Sequence, residues 1–102
     1  MLTSGFDPAF LGDHFRRHKA EFDAATPEEY EALADTFLGG PLDANTLECE
    51  KASNADVVRY NYISQEFGVL SPQRLIRTYF KPSPRQHKFK TNLAYYQSEC
   101  RK

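Results

Sequence analysis

The spacing of apolar residues changes along the chain from a helical period to the alternation that is typical of strands. A first helix is predicted to begin at Asp7 and Pro8, because Asp is a favoured N-cap and Pro suits the first helical position. Leu11, Phe15 and Phe22 then recur on one helical face, at spacings of four and seven residues. The pattern predicts a helix that extends through Phe22.

A second helix start, with stronger signals, follows at Thr26. Thr26 can act as N-cap, Pro27 lies where no amide donor is needed, and Glu29 would close a capping box. The apolar stripe of this helix consists of Tyr30, Leu33, Ala34, Phe37 and Leu38. Gly39, Gly40 and Pro41 are expected to end it.

From residue 46 onward the apolar period becomes two. The alternation predicts four strands, over residues 46–51, 57–62, 67–71 and 74–81. Connections this short allow only an antiparallel meander. Thr91 or Asn92 can cap a last helix over residues 93–100. The sequence therefore predicts one α+β domain, residues 1–102, with two N-terminal helices packed on one face of a four-stranded antiparallel meander and a short C-terminal helix.

The charge is divided unevenly along the chain, although the net charge is only −1. Residues 1–56 hold 12 of the 14 acids and 4 of the 13 bases, a net −8, whereas residues 57–102 carry a net +7. A basic half indicates a polyanionic partner, unless the two halves simply neutralise each other in the fold. No segment is apolar enough to span a membrane, and the start of the chain lacks the features of a secretory signal.

The two cysteines, Cys49 and Cys100, have neither metal-site spacing nor the density of a disulfide scaffold. We expect free thiols in a reducing compartment, with a single disulfide as the alternative.

Residues 57–82 combine strand-forming aromatics with groups that strands do not need, namely Arg59, Arg77, Thr78, Tyr79 and Lys81. Guanidinium, hydroxyl and ammonium groups in such a row suit a surface that binds phosphate. Alternation places Thr78 on one face of the last strand and Arg77, Tyr79 and Lys81 on the other. The simpler interpretation of Arg59 is a solvated strand arginine that stacks on a tyrosine. The simpler interpretation of Thr78 is an ordinary β-forming residue.

The first helix carries several cations, among them His14, Arg17, His18 and Lys19. On a helical wheel His18 falls on the apolar face, where it is either a boundary histidine bound to a carbonyl or an imidazole presented to the sheet. No third ligand supports a metal site at the two histidines, so no metal and no cofactor are predicted. His87 lies in a basic loop with Lys88 and Lys90, where it contacts phosphate or is plain surface.

In this order, the segments HFRRHKAEF, TPEEYEALADTFL, DVVRYNYISQEFGVLSPQRLIRTYFKP and HKFKTNLAYYQ resemble a nuclease family. It is the group of bacterial polymorphic-toxin and phage-associated domains in the barnase/EndoU/colicin/RelE-like ribonuclease superfamily. The resemblance covers about residues 10–97, and its most specific parts are Arg-Tyr at 59–60, Glu-Phe-Gly-Val at 66–69 and Ile-Arg-Thr-Tyr-Phe at 76–80. The chain departs from the pattern at Lys19 and Asp23, where glycine is favoured, and at Asn61 and Tyr62, where Asp-Pro is more usual.

The resemblance implies a metal-independent endoribonuclease in which the RNA 2′-hydroxyl attacks the adjacent phosphorus. His18 would be the acid or base, Arg59 and Lys81 would stabilise the phosphorane, and Thr78 would orient the phosphate. Tyr79 would stack a base or assist proton transfer. The predicted RNA-binding residues are His14, Arg17, Lys19, Arg77, His87, Lys88 and Lys90. The assignment requires the first helix to bring His18 close to Arg59 and Thr78.

The family further implies RNA, above all tRNA, as substrate and a cognate immunity protein as inhibitor. It also implies a domain at the C-terminal end of a larger toxin that is secreted or delivered by a secretion system and acts in the target-cell cytoplasm, without a membrane partner. The alternative is a non-catalytic module that uses the same basic sheet to bind nucleic acid or protein, since a fold does not by itself imply an activity.

Overall fold

A computed structural model describes residues 1–102 and confirms the α+β class. The helices are α1 (Pro8–Phe22), α2 (Pro27–Gly39), α3 (Pro84–His87) and α4 (Asn92–Cys100). The strands are β1 (Thr46–Glu50), β2 (Val57–Asn61), β3 (Phe67–Leu70) and β4 (Ile76–Phe80), in one antiparallel sheet of order β1-β2-β3-β4. The single-turn helix α3 is the one element that the sequence pattern did not predict.

The helix starts follow the expected capping chemistry. The Asp7 carboxylate accepts a hydrogen bond from the amide of Ala9 (2.9 Å), and the Thr26 hydroxyl accepts one from the amide of Glu29 (3.1 Å). Glu29 reaches back to the amide of Ala25, one residue earlier than in a capping box. Helix α1 ends at Asp23, whose φ of 53° is left-handed, which explains why glycine suits this position.

A β-bulge in the pairing of β3 with β4 changes which side chains share a face of the sheet. Val69 lies opposite Thr78, whereas Leu70 lies opposite Ile76, so Arg77 is the unpaired residue. Ile76 and Tyr79 consequently enter the same core cluster although three positions separate them. The strict alternation predicted for this strand is therefore wrong on its N-terminal side.

Helices cover both faces of the sheet. On one face, α1 and α2 pack over a core of Phe6, Tyr30, Ala34, Leu38, Leu70, Ile76 and Tyr79. On the other face, Tyr96 of α4 packs against Val58, Tyr60, Phe67 and Val69. The C-terminal helix covers this second face, because its two tyrosines, Tyr95 and Tyr96, bury it.

A disulfide joins Cys49 of β1 to Cys100 of α4, with their Cα atoms 5.9 Å apart. Neither cysteine is a free thiol, so the preferred expectation for them is corrected in favour of its alternative. The bridge ties the C-terminal helix to the edge of the sheet, and an ion pair between Lys51 and Glu99 (3.5 Å) lies beside it.

The N-terminal segment is bound between α2 and β4. The Asp35 carboxylate of α2 accepts hydrogen bonds from the amides of Leu2 and Thr3, each 2.8 Å long. Phe6 then forms a parallel bridge with Ile76 at the edge of β4. No helix is both long and apolar enough to cross a membrane.

Candidate active site

Six residues line an open cleft of about 480 Å³ at the β4 edge of the sheet, the largest of three surface cavities. We call it the His18 cleft, and its lining consists of Arg17, His18, Glu21, Thr78, Phe80 and Gln86. Helix α1 lies beside β4, so that Phe22 stacks on Tyr79 while His18 stacks on Phe80 from the opposite face of the strand. The end of α1 therefore meets the sheet at its edge.

His18 is held by a carboxylate one helical turn away. Its Nδ1 atom lies 2.8 Å from Oε2 of Glu21, and its ring stacks on Phe80 with centroids 5.3 Å apart. The second oxygen of Glu21 accepts a hydrogen bond from the backbone amide of Lys81 (2.7 Å), at the end of β4. In a neutral imidazole, donation from Nδ1 to the carboxylate leaves the lone pair on the other ring nitrogen, Nε2, which makes no hydrogen bond within the protein.

Thr78 contributes a hydroxyl group to the same cleft. Its Oγ1 atom makes no hydrogen bond within the protein, although the residue is half-buried. The side-chain amide of Gln86, from α3, is exposed and equally without a protein partner. Two neutral hydrogen-bonding groups thus face the cleft together with the imidazole of His18.

The cation of the cleft is Arg17, not Lys81. The Arg17 side chain is 55% exposed and pairs with Asp13 on the outer surface of α1 (3.1 Å). The ammonium group of Lys81, which was predicted to stabilise the phosphorane, lies over the ring of Phe22 at 5.4 Å from its centroid and does not line the cleft. Lys81 reaches the site only through its backbone amide.

Arg59 lies in a different place from the one that its predicted role requires. Its guanidinium donates to the carbonyl oxygens of Phe37 (3.0 Å) and Gly40 (2.8 Å) and pairs with Glu48 (2.7 Å). Helix α2 has no basic residue in its last turn, so Arg59 supplies from the sheet the cation that favours a helix C-terminus. The structure therefore does not bring Arg59 to His18 and Thr78, and its side chain is only 13% exposed in this structural role.

Tyr79 is fully buried and cannot stack on a base. Its hydroxyl donates to Glu66, its carbonyl accepts from the hydroxyl of Tyr30, and its ring stacks on Phe22. Burial, followed by the hydrogen bond and charge of Glu66, raises the pKa of the Tyr79 phenol far above its ordinary value. The predicted role of Tyr79 in stacking or proton transfer is corrected to one in the core.

Two further predicted RNA-binding residues face another cavity. His14 and Arg77 line a space of about 250 Å³ with Phe10 and Leu75. The Arg77 side chain pairs with the buried carboxylate of Asp56 (2.7 Å). Burial, together with the charges of Arg17 and His18, lowers the pKa of His14. Neither residue belongs to the His18 cleft.

The remaining predicted RNA-binding residues are exposed, with one exception. Lys19 lies over the ring of Phe15, and Lys88 and Lys90 are exposed and form no ion pair. His87 is partly buried, with both ring nitrogens engaged by the side chain of Asn92 and the amide of Phe89. Lys88 and Lys90 therefore remain available to an anionic partner, whereas His87 has a structural role.

Glu21 and Gln86 were not predicted as site residues. Glu21 follows His18 by three positions, a spacing that places two side chains on neighbouring positions of one helical face. That spacing could have indicated the pair. Gln86 could not have been found in the same way, because it reaches the cleft through α3, which has no clear pattern in the sequence.

Comparison with models of known protein families finds no match, and comparison with curated proteins finds no significant match either. The resemblance to toxin-type ribonucleases thus stays a prediction, and any function has to be argued from the site itself. No three His, Cys, Asp or Glu side chains gather in a way that could hold a metal ion.

Proposed function

We propose that this protein is a metal-independent endoribonuclease that cleaves RNA in the His18 cleft. The observation that carries the proposal is the meeting of His18, oriented by Glu21, with the unpaired hydroxyl of Thr78 in one open cleft. A histidine held by a carboxylate, with its second nitrogen free, is the arrangement that general-base catalysis uses.

In the proposed reaction, Nε2 of His18 removes the proton from the RNA 2′-hydroxyl. The 2′-oxygen forms a bond to the adjacent phosphorus, and the bond from phosphorus to the 5′-oxygen breaks, which leaves a 2′,3′-cyclic phosphate. The leaving 5′-oxygen takes a proton from solvent, since no second acid faces the open cleft. Glu21 stabilises the imidazolium that forms on His18 and holds its ring in the required tautomer.

The phosphate would be bound by neutral and charged groups of the cleft. The Thr78 hydroxyl and the Gln86 amide can donate hydrogen bonds to its oxygens, and Arg17 can turn from the exposed Asp13 to the negative charge of the phosphorane. An exposed ion pair of this kind contributes about 0.2–1 kcal/mol, so exchanging it for a phosphate costs little. Arg59, Lys81 and Tyr79 have no direct part in this chemistry.

The surroundings of the cleft support a polyanionic substrate. Arg85 precedes the cleft residue Gln86, and Lys88 and Lys90 follow it, all exposed and without an ion pair. Of the biological part of the proposal, tRNA as the substrate and a cognate immunity protein as the inhibitor rest on the sequence resemblance alone. Delivery out of the producing cell is supported by the disulfide, because such bonds persist in oxidising environments.

The test is incubation of the purified protein with total tRNA in the presence of EDTA. We expect cleavage that leaves 2′,3′-cyclic phosphate ends, no cleavage of DNA of the same sequence, and a loss of about 10²–10⁴-fold in rate for His18→Ala. Arg16→Ala is the matched control, because Arg16 is a strongly exposed residue of the same helix that does not line the cleft. Cleavage by His18→Ala at the native rate would contradict the proposal. Salt-sensitive RNA binding without any cleavage would instead favour the non-catalytic module.

A further inference from the structure

An exposed aromatic residue lies in the segment that connects α3 with α4, close to the His18 cleft. Phe89 is 38% exposed and stands between Lys88 and Lys90, both exposed and without an ion pair. An aromatic ring flanked by two unpaired cations is the combination with which proteins bind single-stranded nucleic acid, because the ring stacks on a base and the cations bind the phosphates.

The position of the Phe89 ring is fixed by its neighbours. The Phe89 amide donates to Nδ1 of His87 (3.1 Å), and Nε2 of His87 in turn bonds to Oδ1 of Asn92 (2.8 Å). The His87 ring stacks on Tyr95 with centroids 4.6 Å apart and planes inclined by 7°. The Phe89 ring contacts both rings at an angle, with centroids 5.7 and 6.1 Å away. A ring held in this way loses little conformational freedom when it binds a base.

The distance to the cleft is short. Phe89 follows Gln86, which lines the cleft, by three positions, so their Cα atoms lie within about 11 Å of each other even if the chain were fully extended. A chain of RNA whose scissile phosphate lies in the His18 cleft can therefore place a neighbouring nucleotide over Phe89.

We propose that Phe89 stacks on an unpaired nucleobase of the RNA while Lys88 and Lys90 bind the phosphates on either side of it. The inference rests on the proposed function and narrows its substrate, because only a base that is not paired in a duplex can be splayed onto a protein ring. The substrate is then a single-stranded or loop segment of RNA. The alternative is a purely structural Phe89 that only covers the rings of His87 and Tyr95. The experiment has to distinguish this role from base stacking.

The chain contains no tryptophan, so an indole introduced at position 89 reports on that position alone. The experiment uses the full-length double variant His18→Ala/Phe89→Trp, in which cleavage is suppressed, and titrates it with single-stranded oligoadenylate RNA. The control is His18→Ala/Phe10→Trp, because Phe10 is a 60% exposed aromatic residue of α1 that lines a different cavity. We expect quenching that saturates with RNA for the first protein and little or none for the second.

Binding is measured in parallel by the fluorescence anisotropy of end-labelled RNA with His18→Ala and with His18→Ala/Phe89→Ala. Loss of a stacked base should weaken binding by about 5- to 150-fold. RNA binding that leaves the indole fluorescence of His18→Ala/Phe89→Trp unquenched and is not weakened by Phe89→Ala would overturn the stacking proposal while leaving the proposed ribonuclease intact. A complete absence of RNA binding by His18→Ala would overturn both.

Discussion

The Glu21 carboxylate lies 2.8 Å from Nδ1 of His18, while its other oxygen is bound to the amide of Lys81 at the end of β4. This relationship fixes the histidine to the sheet and not only to its own helix. It also sets which ring nitrogen carries the proton in the neutral imidazole, because a carboxylate can only accept a hydrogen bond. The orientation of the proposed base therefore depends on Glu21.

Glu21→Gln is expected to lower the cleavage rate by about 10²–10⁴-fold with little change in stability. The glutamine oxygen can still accept from the Lys81 amide, but its NH₂ group would then donate to Nδ1 of His18 and move the ring proton to Nε2. The readout that separates this from a general loss of structure is the ¹⁵N spectrum of the histidine rings, in which His18 should change tautomer. Glu28→Gln, which alters an acid at the start of α2, is the control. An unchanged His18 tautomer together with full activity would refute the role of Glu21.

Arg59→Met is expected to destabilise the protein by about 2 kcal/mol without a comparable loss of activity, because the substitution removes the charged hydrogen bonds to the carbonyls of Phe37 and Gly40 and leaves these helix-end acceptors unpaired. Urea unfolding gives the free energy, and cleavage is assayed at a temperature at which both proteins are folded. Arg101→Met, which alters an exposed arginine that forms no ion pair and lies outside the cleft, is the control.

The opposite result would indicate that Arg59 takes part in the reaction. If Arg59→Met retained its stability and lost most of its cleavage activity, the guanidinium would have to reach the phosphate in a conformation other than the one bound to α2. The same experiment thus distinguishes two roles of Arg59, namely the catalytic role that the strand pattern predicts and the structural role that the contacts support.

The fold could be predicted from the sequence where the signals are local. Helix caps such as Asp7 and Thr26 act through hydrogen bonds to amides two or three residues away, so the sequence itself contains both partners. The helical wheel likewise placed His18 on the inner face of α1, where it stacks on Phe80. The short turns allowed only a meander, which is the sheet order observed.

The site was predicted only in part, because its other features depend on contacts between distant segments. Alternation cannot predict the bulge that leaves Arg77 unpaired, nor the packing of α4 on the second face of the sheet. Gly68, in the most specific part of the family resemblance, lies opposite Arg59 in register, and Leu38 packs so close that a Cβ at position 68 would lie 3.0 Å from its side chain. A residue type in a motif can thus reflect the docking of α2 as readily as chemistry.

Asp35→Asn should destabilise the protein in a pH-dependent manner. Burial alone would raise the pKa of the Asp35 carboxyl, but the hydrogen bonds from the Thr3 hydroxyl and from the amides of Leu2 and Thr3 outweigh it and keep the pKa below its ordinary value. The unfolded chain therefore takes up a proton at higher pH than the folded one does. The stabilisation is complete above the ordinary pKa of about 3.9 and is lost as the pH falls through the folded value.

At pH 7, Asp35→Asn is expected to cost about 1–3 kcal/mol, because its amide group presents a donor to backbone amides that need an acceptor. The difference between Asp35→Asn and the native protein should narrow as the pH falls below about 3.9. Urea unfolding at a series of pH values measures it, with the exposed Asp13→Asn as a control that should change stability by less than about 1 kcal/mol. If the difference in unfolding free energy between the two proteins stayed constant with pH, the charge of Asp35 would not contribute to stability.

Reduction of the Cys49–Cys100 disulfide is expected to lower the free energy of unfolding by about 2–4 kcal/mol and to leave the fold in place. The bridge closes a long loop, since 51 positions separate the two residues, and its removal restores freedom to the unfolded chain. The folded state keeps the packing of Tyr96 on β2 and β3, which does not depend on the bridge. The measurement is urea unfolding with and without a thiol reductant, and the double variant Cys49→Ser/Cys100→Ser should match the reduced protein and not respond to reductant. A thiol assay that finds two free sulfhydryl groups in protein purified without reductant would contradict the bridge itself.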